Sequence, residues 1–225
     1  MIQFHQSYAY EDFIQGYRPD GKGGFELKNG TFFDLCEEAR EDSDRSYFLI
    51  IDEINRGNLS KIFGELMMLI ENDKRGSDFA LQLTYSSGDF YVPPNLHLIG
   101  TMNTADRSLS MVDYALRRRF SFIDLVPEMD SPNFETLLKN KGASPDLIAK
   151  IRSRINSLNQ VILDDVRNLG KGYRIGHSFF CPEGDTTANE DWYRGIIEFE
   201  IAPLLREYWM DQEEKAETEI EHLIS

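Results

Sequence analysis

Residues 47–56 read Tyr47-Phe48-Leu49-Ile50-Ile51-Asp52-Glu53-Ile54-Asn55-Arg56, an apolar run that ends in two adjacent carboxylates. An uninterrupted apolar run predicts a strand of a parallel sheet that is buried on both faces. Two neighbouring charges at the end of such a strand must be paired, solvated or bound to a cation. Because open α/β sheets hold ligands beyond the carboxyl ends of their strands, the acidic pair is expected at a ligand site or in a solvated turn.

The composition limits the class of protein. The chain has 225 residues, of which 41% are hydrophobic and 28% charged, as in folded domains. No apolar run approaches the roughly 20 residues that cross a bilayer, and the N-terminus lacks a secretory signal. Cys36 and Cys181 follow no pairing pattern, and the histidines and cysteines lack the spacing of a zinc site. We therefore expect a cytoplasmic protein without membrane contact.

The charge balance bears on nucleic-acid binding. The formal net charge is −15 at pH 7. A general nucleic-acid clamp needs clustered Lys and Arg to contact phosphates. DNA is therefore expected to be contacted only through other domains.

Strands and helices alternate up to about residue 127, and only helical patterns follow. Beside residues 47–52, strands are predicted at residues 1–4, 81–85, 90–92, 96–103 and 120–126, with 81–92 forming a hairpin. The Gly-rich residues 17–30 predict a loop or hairpin. Helices are predicted from Thr31, from Asn58 or Ser60 to Ile70, at 109–119, and later at 134–138, 147–163 and 192–208. We predict an α/β domain over residues 1–127 and a helical subdomain over residues 128–225.

An apolar strand followed by Asp-Glu is the Walker B pattern of nucleotide hydrolases. Phosphoryl transfer needs a metal ion, an oriented water and positive charge near the γ-phosphate. Asp52 is suited to hold Mg²⁺ through its water shell, and Glu53 to polarise the attacking water. Asn103 ends a predicted neighbouring strand, where its amide could contact both the water and the γ-phosphate; an ordinary turn residue is the alternative.

Three consecutive arginines, Arg117, Arg118 and Arg119, end the predicted helix 109–119. The helix dipole favours cations at this end, which is a sufficient structural explanation. Three neighbouring side chains point in different directions, however, so at least one is expected to project outward. There it could reach the nucleotide of a neighbouring subunit as an arginine finger, which would require an oligomer.

Two long segments resemble the McrB family, the AAA+ GTPase subunits of restriction systems that cut DNA carrying modified cytosine. They are Phe-Leu-Ile-Ile-Asp-Glu-Ile-Asn-Arg-Gly-Asn-Leu-Ser-Lys-Ile-Phe-Gly-Glu at 48–65 and Gly-Thr-Met-Asn-Thr-Ala-Asp-Arg-Ser-Leu-Ser-Met-Val-Asp-Tyr-Ala-Leu-Arg-Arg-Arg-Phe-Ser-Phe at 100–122. The likeness extends from residues 3–8 through 172–178 to 202–205, and so covers nearly the whole chain. It implies a P-loop NTPase core with a parallel sheet, followed by a helical lid.

The resemblance also implies an activity and partners. The family's members form rings, expected here to be hexameric, that hydrolyse GTP or ATP with Mg²⁺ and act with an McrC-like nuclease. Asp52 and Glu53 match Walker B, and Asn103 matches the sensor asparagine within the Asn-Thr-Ala-Asp signature at 103–106. Arg118 and Arg119 match the arginine-finger region, with Arg119 as the first choice.

Further residues are assigned through the same resemblance. Asp106, Arg107 and Asp113 lie in the same signature and could shape the subunit junction, and Asp106 and Arg107 are also expected to bind the nucleotide. Arg174 or His177 could be lid residues near the nucleotide, and a role in the local turn is the alternative for both.

One part of the family pattern is missing from this sequence. McrB-like proteins carry a Gly-rich Walker A loop that ends in Gly-Lys-Ser/Thr, and Gly21-Lys22-Gly23-Gly24 lacks its spacing and flanking elements. The AAA+ core is therefore expected to be incomplete, so that the chain alone binds nucleotide weakly and is inactive without a separate N-terminal AAA+ segment. Its alternative role is that of a non-catalytic AAA+ remnant that helps to assemble a ring.

Overall fold

A computed structural model of the protein describes residues 1–103, residue 105 and residues 117–225. The predicted helix at 109–119 lies largely outside the described residues. The chain divides into two compact units, Met1–Ile123 and Asp124–Ser225, whose internal structures are described separately. The predicted domain boundary followed residue 127.

The first unit is an α/β unit. Its elements in chain order are β1 (Ile2–Gln3), α1 (Tyr10–Phe13), β2 (Gln15–Pro19), β3 (Phe25–Asn29), α2 (Thr31–Glu41), β4 (Tyr47–Asp52), α3 (Leu59–Phe63), β5 (Leu81–Gln82), β6 (Asp89–Phe90) and β7 (Leu96–Gly100). Strands β1, β4 and β7 form a parallel sheet in that order, while β2–β3 and β5–β6 are antiparallel hairpins. The predicted Walker B strand is thus the central strand of the described parallel sheet.

Only one face of β4 is buried. Leu49 and Ile51 are 2% and 0% exposed and belong to the core of this unit, whereas Phe48 is 58% exposed. The Phe48 ring stacks on His97 of β7, with ring centroids 5.0 Å apart. The prediction of a strand buried on both faces was therefore wrong. An apolar sequence indicates that both faces of a strand can be buried. It does not indicate that the residues of its own compact unit pack against both faces.

The helix predicted from Asn58 to Ile70 is shorter than expected. Asn58 caps α3, since its side-chain oxygen accepts a hydrogen bond from the Lys61 amide, but the helix ends at Phe63. Gly64 adopts a φ of +51°, which lies outside the right-handed helical region, and a 3₁₀ turn follows at Gly64–Met67. The prediction from apolar spacing missed this backbone reversal.

The strand predicted at 120–126 is not formed, so that prediction was also wrong. The segment is irregular, with Ile123 and Leu125 exposed by 83% and 93%. A strand needs a neighbouring strand for its hydrogen bonds, and an apolar, β-branched sequence does not supply one. Among the described residues, the ladder that includes β7 joins it to β4 alone.

The second unit is helical, as predicted. It contains α4 (Pro132–Asn140), α5 (Pro145–Asp164), α6 (Glu190–Ile196), a π-helical segment (Ile197–Ile201), α7 (Ala202–Tyr208) and α8 (Glu213–Ile224). Ser131, Ser144 and Asn189 cap α4, α5 and α6 through their side-chain oxygens. Trp209 and Tyr193 are each 1% exposed in its core. None of the helices among the described residues is long and apolar enough to span a bilayer.

Candidate functional site

Asp52 lies at the carboxyl end of the central strand. Its Oδ1 accepts a hydrogen bond from Thr101 Oγ1 at 2.5 Å, and its Oδ2 accepts one from Gln3 Nε2 at 3.3 Å. These donors come from the chain segments that follow or form the two neighbouring strands, so the sheet itself fixes the orientation of the carboxylate. Each carboxylate oxygen can accept about two hydrogen bonds, so Asp52 keeps capacity for water molecules of a hydrated metal ion.

Glu53 holds an uncommon backbone conformation. Its φ of +51° is the only positive value found for a non-glycine residue in the described parts of the chain. Such a conformation costs free energy for a residue with a side chain and is frequent at active sites. It reverses the chain from β4 into the 3₁₀ turn Ile54–Arg56, and the Glu53 side chain is only 22% exposed.

Two buried acceptor oxygens beside the strand end have no hydrogen bond in the described structure. They are Oε2 of Glu53 and Oδ1 of Asn55. Arg56 Nε lies 3.2 Å from Glu53 Oε2, an ion-pair distance whose geometry does not make a hydrogen bond. A buried acceptor without a donor is costly, and both oxygens can accept a hydrogen bond from a water molecule. Sequence reasoning missed Asn55; its position two residues after Glu53, in the same turn, was the available signal.

The turn after β4 is held against the end of β7. The Ile54 amide donates to the Thr101 carbonyl at 2.9 Å, and the Thr101 amide donates to the Ile51 carbonyl at 3.0 Å. Gly100 allows this approach, because a Cβ there would lie 2.8 Å from Ile54 Cδ1. The ends of the two strands are therefore tied together, and the segment that leads to Asn103 starts beside Asp52.

Asn103 is exposed and makes a local contact. Its Oδ1 accepts a hydrogen bond from the Ala105 amide at 2.9 Å. A hydrogen bond of this kind is typical of a turn residue, which is the alternative role predicted for Asn103. The sensor role of Asn103 stays a prediction.

The arginines at 117–119 differ in their surroundings. Arg117 and Arg118 are exposed, whereas the Arg119 side chain is 19% exposed. Arg119 Nε donates to the Met67 carbonyl at 2.7 Å, and its guanidinium forms an ion pair with Glu71 at 2.7 Å. The expected outward projection is thus found for Arg117 and Arg118, while Arg119 is engaged within its own unit.

Asp106 and Arg107, predicted to bind the nucleotide, and Asp113, predicted to shape the subunit junction, lie outside the described residues. Arg174 lies in the helical unit, where its Nε donates to the Lys171 carbonyl at 3.0 Å. His177 accepts a hydrogen bond from the Glu128 amide through Nδ1 at 3.1 Å. The Arg174 contact is that of a local turn residue, whereas the His177 contact joins two segments that are distant in the sequence. A role of either residue in nucleotide binding stays a prediction.

The loop that carries Arg174 is fixed by a buried amide. Asn159 is 6% exposed; its Nδ2 donates to the Ile175 carbonyl at 2.9 Å, and its Oδ1 accepts from the Ile175 amide at 2.6 Å. One side chain thus satisfies both backbone groups of a fully buried residue. The position of the Arg174 loop follows from α5, which carries Asn159.

The residues at the strand end fit a hydrated Mg²⁺ better than a tightly ligated metal. The described residues contain no group of three His, Cys, Asp or Glu side chains that could hold an ion by themselves. Mg²⁺ commonly keeps several waters and is held by one or two carboxylates together with substrate phosphates. Asp52 has spare acceptor capacity, and the buried Glu53 and Asn55 oxygens accept no hydrogen bond, which matches that mode of binding.

Two family profiles match this chain. The AAA domain (dynein-related subfamily) matches residues 1–120, and the McrB alpha-helical lid domain matches residues 150–217. The chain is 55% identical over 216 residues to the type IV methyl-directed restriction enzyme EcoKMcrB subunit of Escherichia coli (strain K12), which covers 94% of this chain and 47% of that protein. It is 27% identical over 158 residues to the type II restriction enzyme BsuMI component YdiS of Bacillus subtilis (strain 168), which covers 54% of this chain and 46% of that protein.

The chain spans about half the length of the curated relatives it matches. It also resembles a solved structure, described as that of an ATPase, from Cytophaga hutchinsonii ATCC 33406, at 19% identity and a TM-score of 0.36, over 72% of this chain and 48% of that one. The family profiles and the relative at 55% identity confirm the predicted resemblance and fold class. The chain belongs to the AAA family, with an α/β core of the dynein-related subfamily and the α-helical lid of McrB.

Proposed function

We propose that the chain is the Walker B, sensor and lid portion of a restriction-system AAA+ subunit that hydrolyses GTP or ATP. The observation that carries this proposal is the strand end at Asp52-Glu53, where Glu53 is held at a φ of +51° and its buried Oε2, at ion-pair distance from Arg56, accepts no hydrogen bond. Strain and an unsatisfied buried acceptor both cost stability, and sites that bind a substrate are where such costs are commonly found.

The proposed roles follow from the positions of the side chains. Asp52 holds the hydration shell of Mg²⁺, which neutralises charge on the phosphates when it is bound. Glu53 accepts a hydrogen bond from the attacking water through Oε2, and Asn55 supplies a second acceptor in the same turn. Asn103 orients the water and the γ-phosphate.

The proposed assembly is a ring, expected to be hexameric, in which each site receives an arginine from its neighbour. Arg118 is exposed and free to extend, while Arg119 must leave its ion pair with Glu71 to act in trans. The relative named as a methyl-directed restriction enzyme subunit supports a role in restriction of modified DNA, together with an McrC-like nuclease. Nucleotide phosphates would be held by a Gly-Lys-Ser/Thr loop from the segment that precedes these residues in the family.

The first test is the substitution Glu53→Gln in the assembled ring that supplies this phosphate-binding loop. Loss of the general base is expected to lower the hydrolysis rate by about 10²–10⁴-fold while nucleotide binding is retained. The matched control is Glu38→Gln, an exposed carboxylate on α2, which should leave the rate unchanged. Equal rates for Glu53→Gln and the control, at equal nucleotide occupancy, would exclude Glu53 as the base.

The second test separates the two arginines. Arg118→Ala and Arg119→Ala rings are compared for hydrolysis rate and for the free energy of unfolding. A finger residue is expected to lose about 10³-fold or more in rate with little loss of stability. If Arg119→Ala instead unfolds the α/β unit and Arg118→Ala hydrolyses normally, the arginines serve the helix end and the Glu71 ion pair rather than a neighbouring site.

A further inference from the structure

The helical unit carries an open groove that the nucleotide site does not use. The groove has a volume of about 610 Å³ and lies between the segment at 178–186 and the helical residues 192–200. We call it the acidic groove and define it by Phe179, Glu183, Trp192, Phe199 and Glu200. All of these residues belong to the second compact unit.

Aromatic side chains form the apolar part of the acidic groove. Phe199 is 78% exposed, although the same helical segment buries Ile197 and Ile201 completely. Phe179 and Trp192 are half-buried along the groove. An exposed large aromatic ring beside a concavity is typical of the anchor positions of protein–protein interfaces.

A change from α- to π-helical geometry lies beside this surface. Residues Ile197–Ile201 form a π-helical segment, in which the Ala202 amide donates to the Ile197 carbonyl. Pro203 has no amide hydrogen, so the Phe199 carbonyl lacks its normal α-helical donor and the regular helix cannot continue through this turn. Single π-helical turns are rare and are frequent at functional sites.

The charge of the acidic groove indicates its ligand. Its charged lining residues are Glu183 and Glu200, and no Lys or Arg lines it. Among the described residues neither carboxylate forms an ion pair, so both are available to a cation. The negative lining opposes nucleic-acid phosphates and favours a cationic ligand.

We propose that the acidic groove binds a polypeptide segment of a partner protein in which a Lys or Arg side chain stands beside a bulky apolar side chain. The apolar side chain packs on Phe199 and Trp192, while the cation lies between Glu183 and Glu200. Aromatic anchors and complementary charges of this kind provide both affinity and orientation. The proposal is independent of nucleotide hydrolysis, because the groove shares no residue with the strand end at Asp52.

The test uses the full 225-residue chain and the peptide Gly-Leu-Arg-Trp-Arg-Leu-Gly-amide, labelled with fluorescein at its N-terminus, and follows fluorescence anisotropy at 150 mM salt. We expect saturable binding of this peptide. A peptide with Glu in place of both Arg residues should fail to bind, and one with Gly in place of Leu and Trp should bind about tenfold more weakly. No saturable binding of the first peptide up to about 1 mM would overturn the proposal.

The matched variants are Glu200→Lys and Glu198→Lys, which change the net charge equally and lie in the same π-helical segment, although only Glu200 lines the groove. Glu200→Lys should weaken peptide binding about tenfold or more, Phe199→Ala similarly, and Glu198→Lys less than about twofold. Circular dichroism checks that all three variants keep their helix content.

Three results would contradict the proposal. Equal weakening by both lysine variants would show general charge attraction. Displacement of the peptide by spermidine at equal concentration would show a site for small amines. Concentration-dependent dimers of the chain that Glu200→Lys dissociates would identify a second copy as the occupant.

Discussion

The two units of the chain close their cores to different degrees. The helical unit buries its largest side chains, Trp209 and Tyr193, almost completely, whereas the sheet of the α/β unit exposes Phe48 and Ile99 by 58% and 45%. Parallel sheets are normally covered on both faces. The helical unit thus encloses its largest side chains by its own packing, while the strand that carries the proposed catalytic pair presents an uncovered apolar face.

Polar contacts reinforce the helical core. Asp165 Oδ2 accepts hydrogen bonds from Trp209 Nε1 and Lys215 Nζ, both at 2.9 Å, and the Tyr193 hydroxyl donates to the Leu223 carbonyl at 2.8 Å. Burial raises the pKa of Tyr193 to about 12, so its hydroxyl stays protonated and continues to donate. The ends of α5 and α8 are thereby tied to one another within the unit.

The largest effect is expected at Trp209. Trp209→Ala should lower the free energy of unfolding by about 3–5 kcal/mol, because it leaves a cavity in the helical core and removes a donor from Asp165. The measurement is denaturant unfolding. Trp192→Ala is the matched control at a half-buried position, and since the chain has two tryptophans, each variant keeps one fluorescent reporter. Equal costs for both variants would contradict a closed helical core.

The next effect contrasts the two faces of β4. Leu49→Ala should cost about 2–4 kcal/mol, because Leu49 is 2% exposed against the core, while Phe48→Ala should cost less than about 1 kcal/mol. Hydrogen exchange of the β4 amides reports the local stability in each variant. A larger loss for Phe48→Ala would mean that the exposed face is covered in solution.

The smallest effect concerns acid stability. The Lys215 ammonium, with the Trp209 N–H, holds the pKa of Asp165 below its usual value. Its stabilisation is therefore fully present above the unfolded pKa of about 3.9 and is lost as pH falls through the lower folded pKa. Asp165→Asn should flatten the fall of Tm between about pH 4 and pH 2. An unchanged acid slope in this variant would show that Asp165 carries no such linkage.

Sequence patterns predicted the elements whose signals are local. Strand β4 and the helical character after residue 131 both follow from the spacing of apolar residues. The predicted strand at 120–126 failed because strand formation depends on a partner that its own sequence does not specify. The prediction that the helix reaches Ile70 was wrong, because Gly64 adopts a positive φ and the helix ends at Phe63.

The candidate site was predictable only in part. The acidic pair was identified from its position after an apolar run. The left-handed conformation of Glu53 and the Asn55 oxygen without a hydrogen bond are visible only in the folded turn, which Gly100 allows to lie close to the end of β7. Likewise, the sequence places Arg118 and Arg119 side by side, and only the fold shows that Arg119 is engaged with Glu71. The acidic groove is formed by residues from a loop and a π-helical segment, so no periodic pattern of apolar residues in the sequence predicts it.

The proposed role of the strand end is tested best by a structure of the assembled ring with Mg²⁺ and a non-hydrolysable nucleotide analogue. We expect Asp52 to contact the hydration shell of the metal ion, and Glu53 Oε2 to lie about 2.6–3.2 Å from a water in line with the γ-phosphate. A nucleotide bound far from this strand end, with Asp52 and Glu53 facing bulk solvent, would show that the pair does not serve hydrolysis.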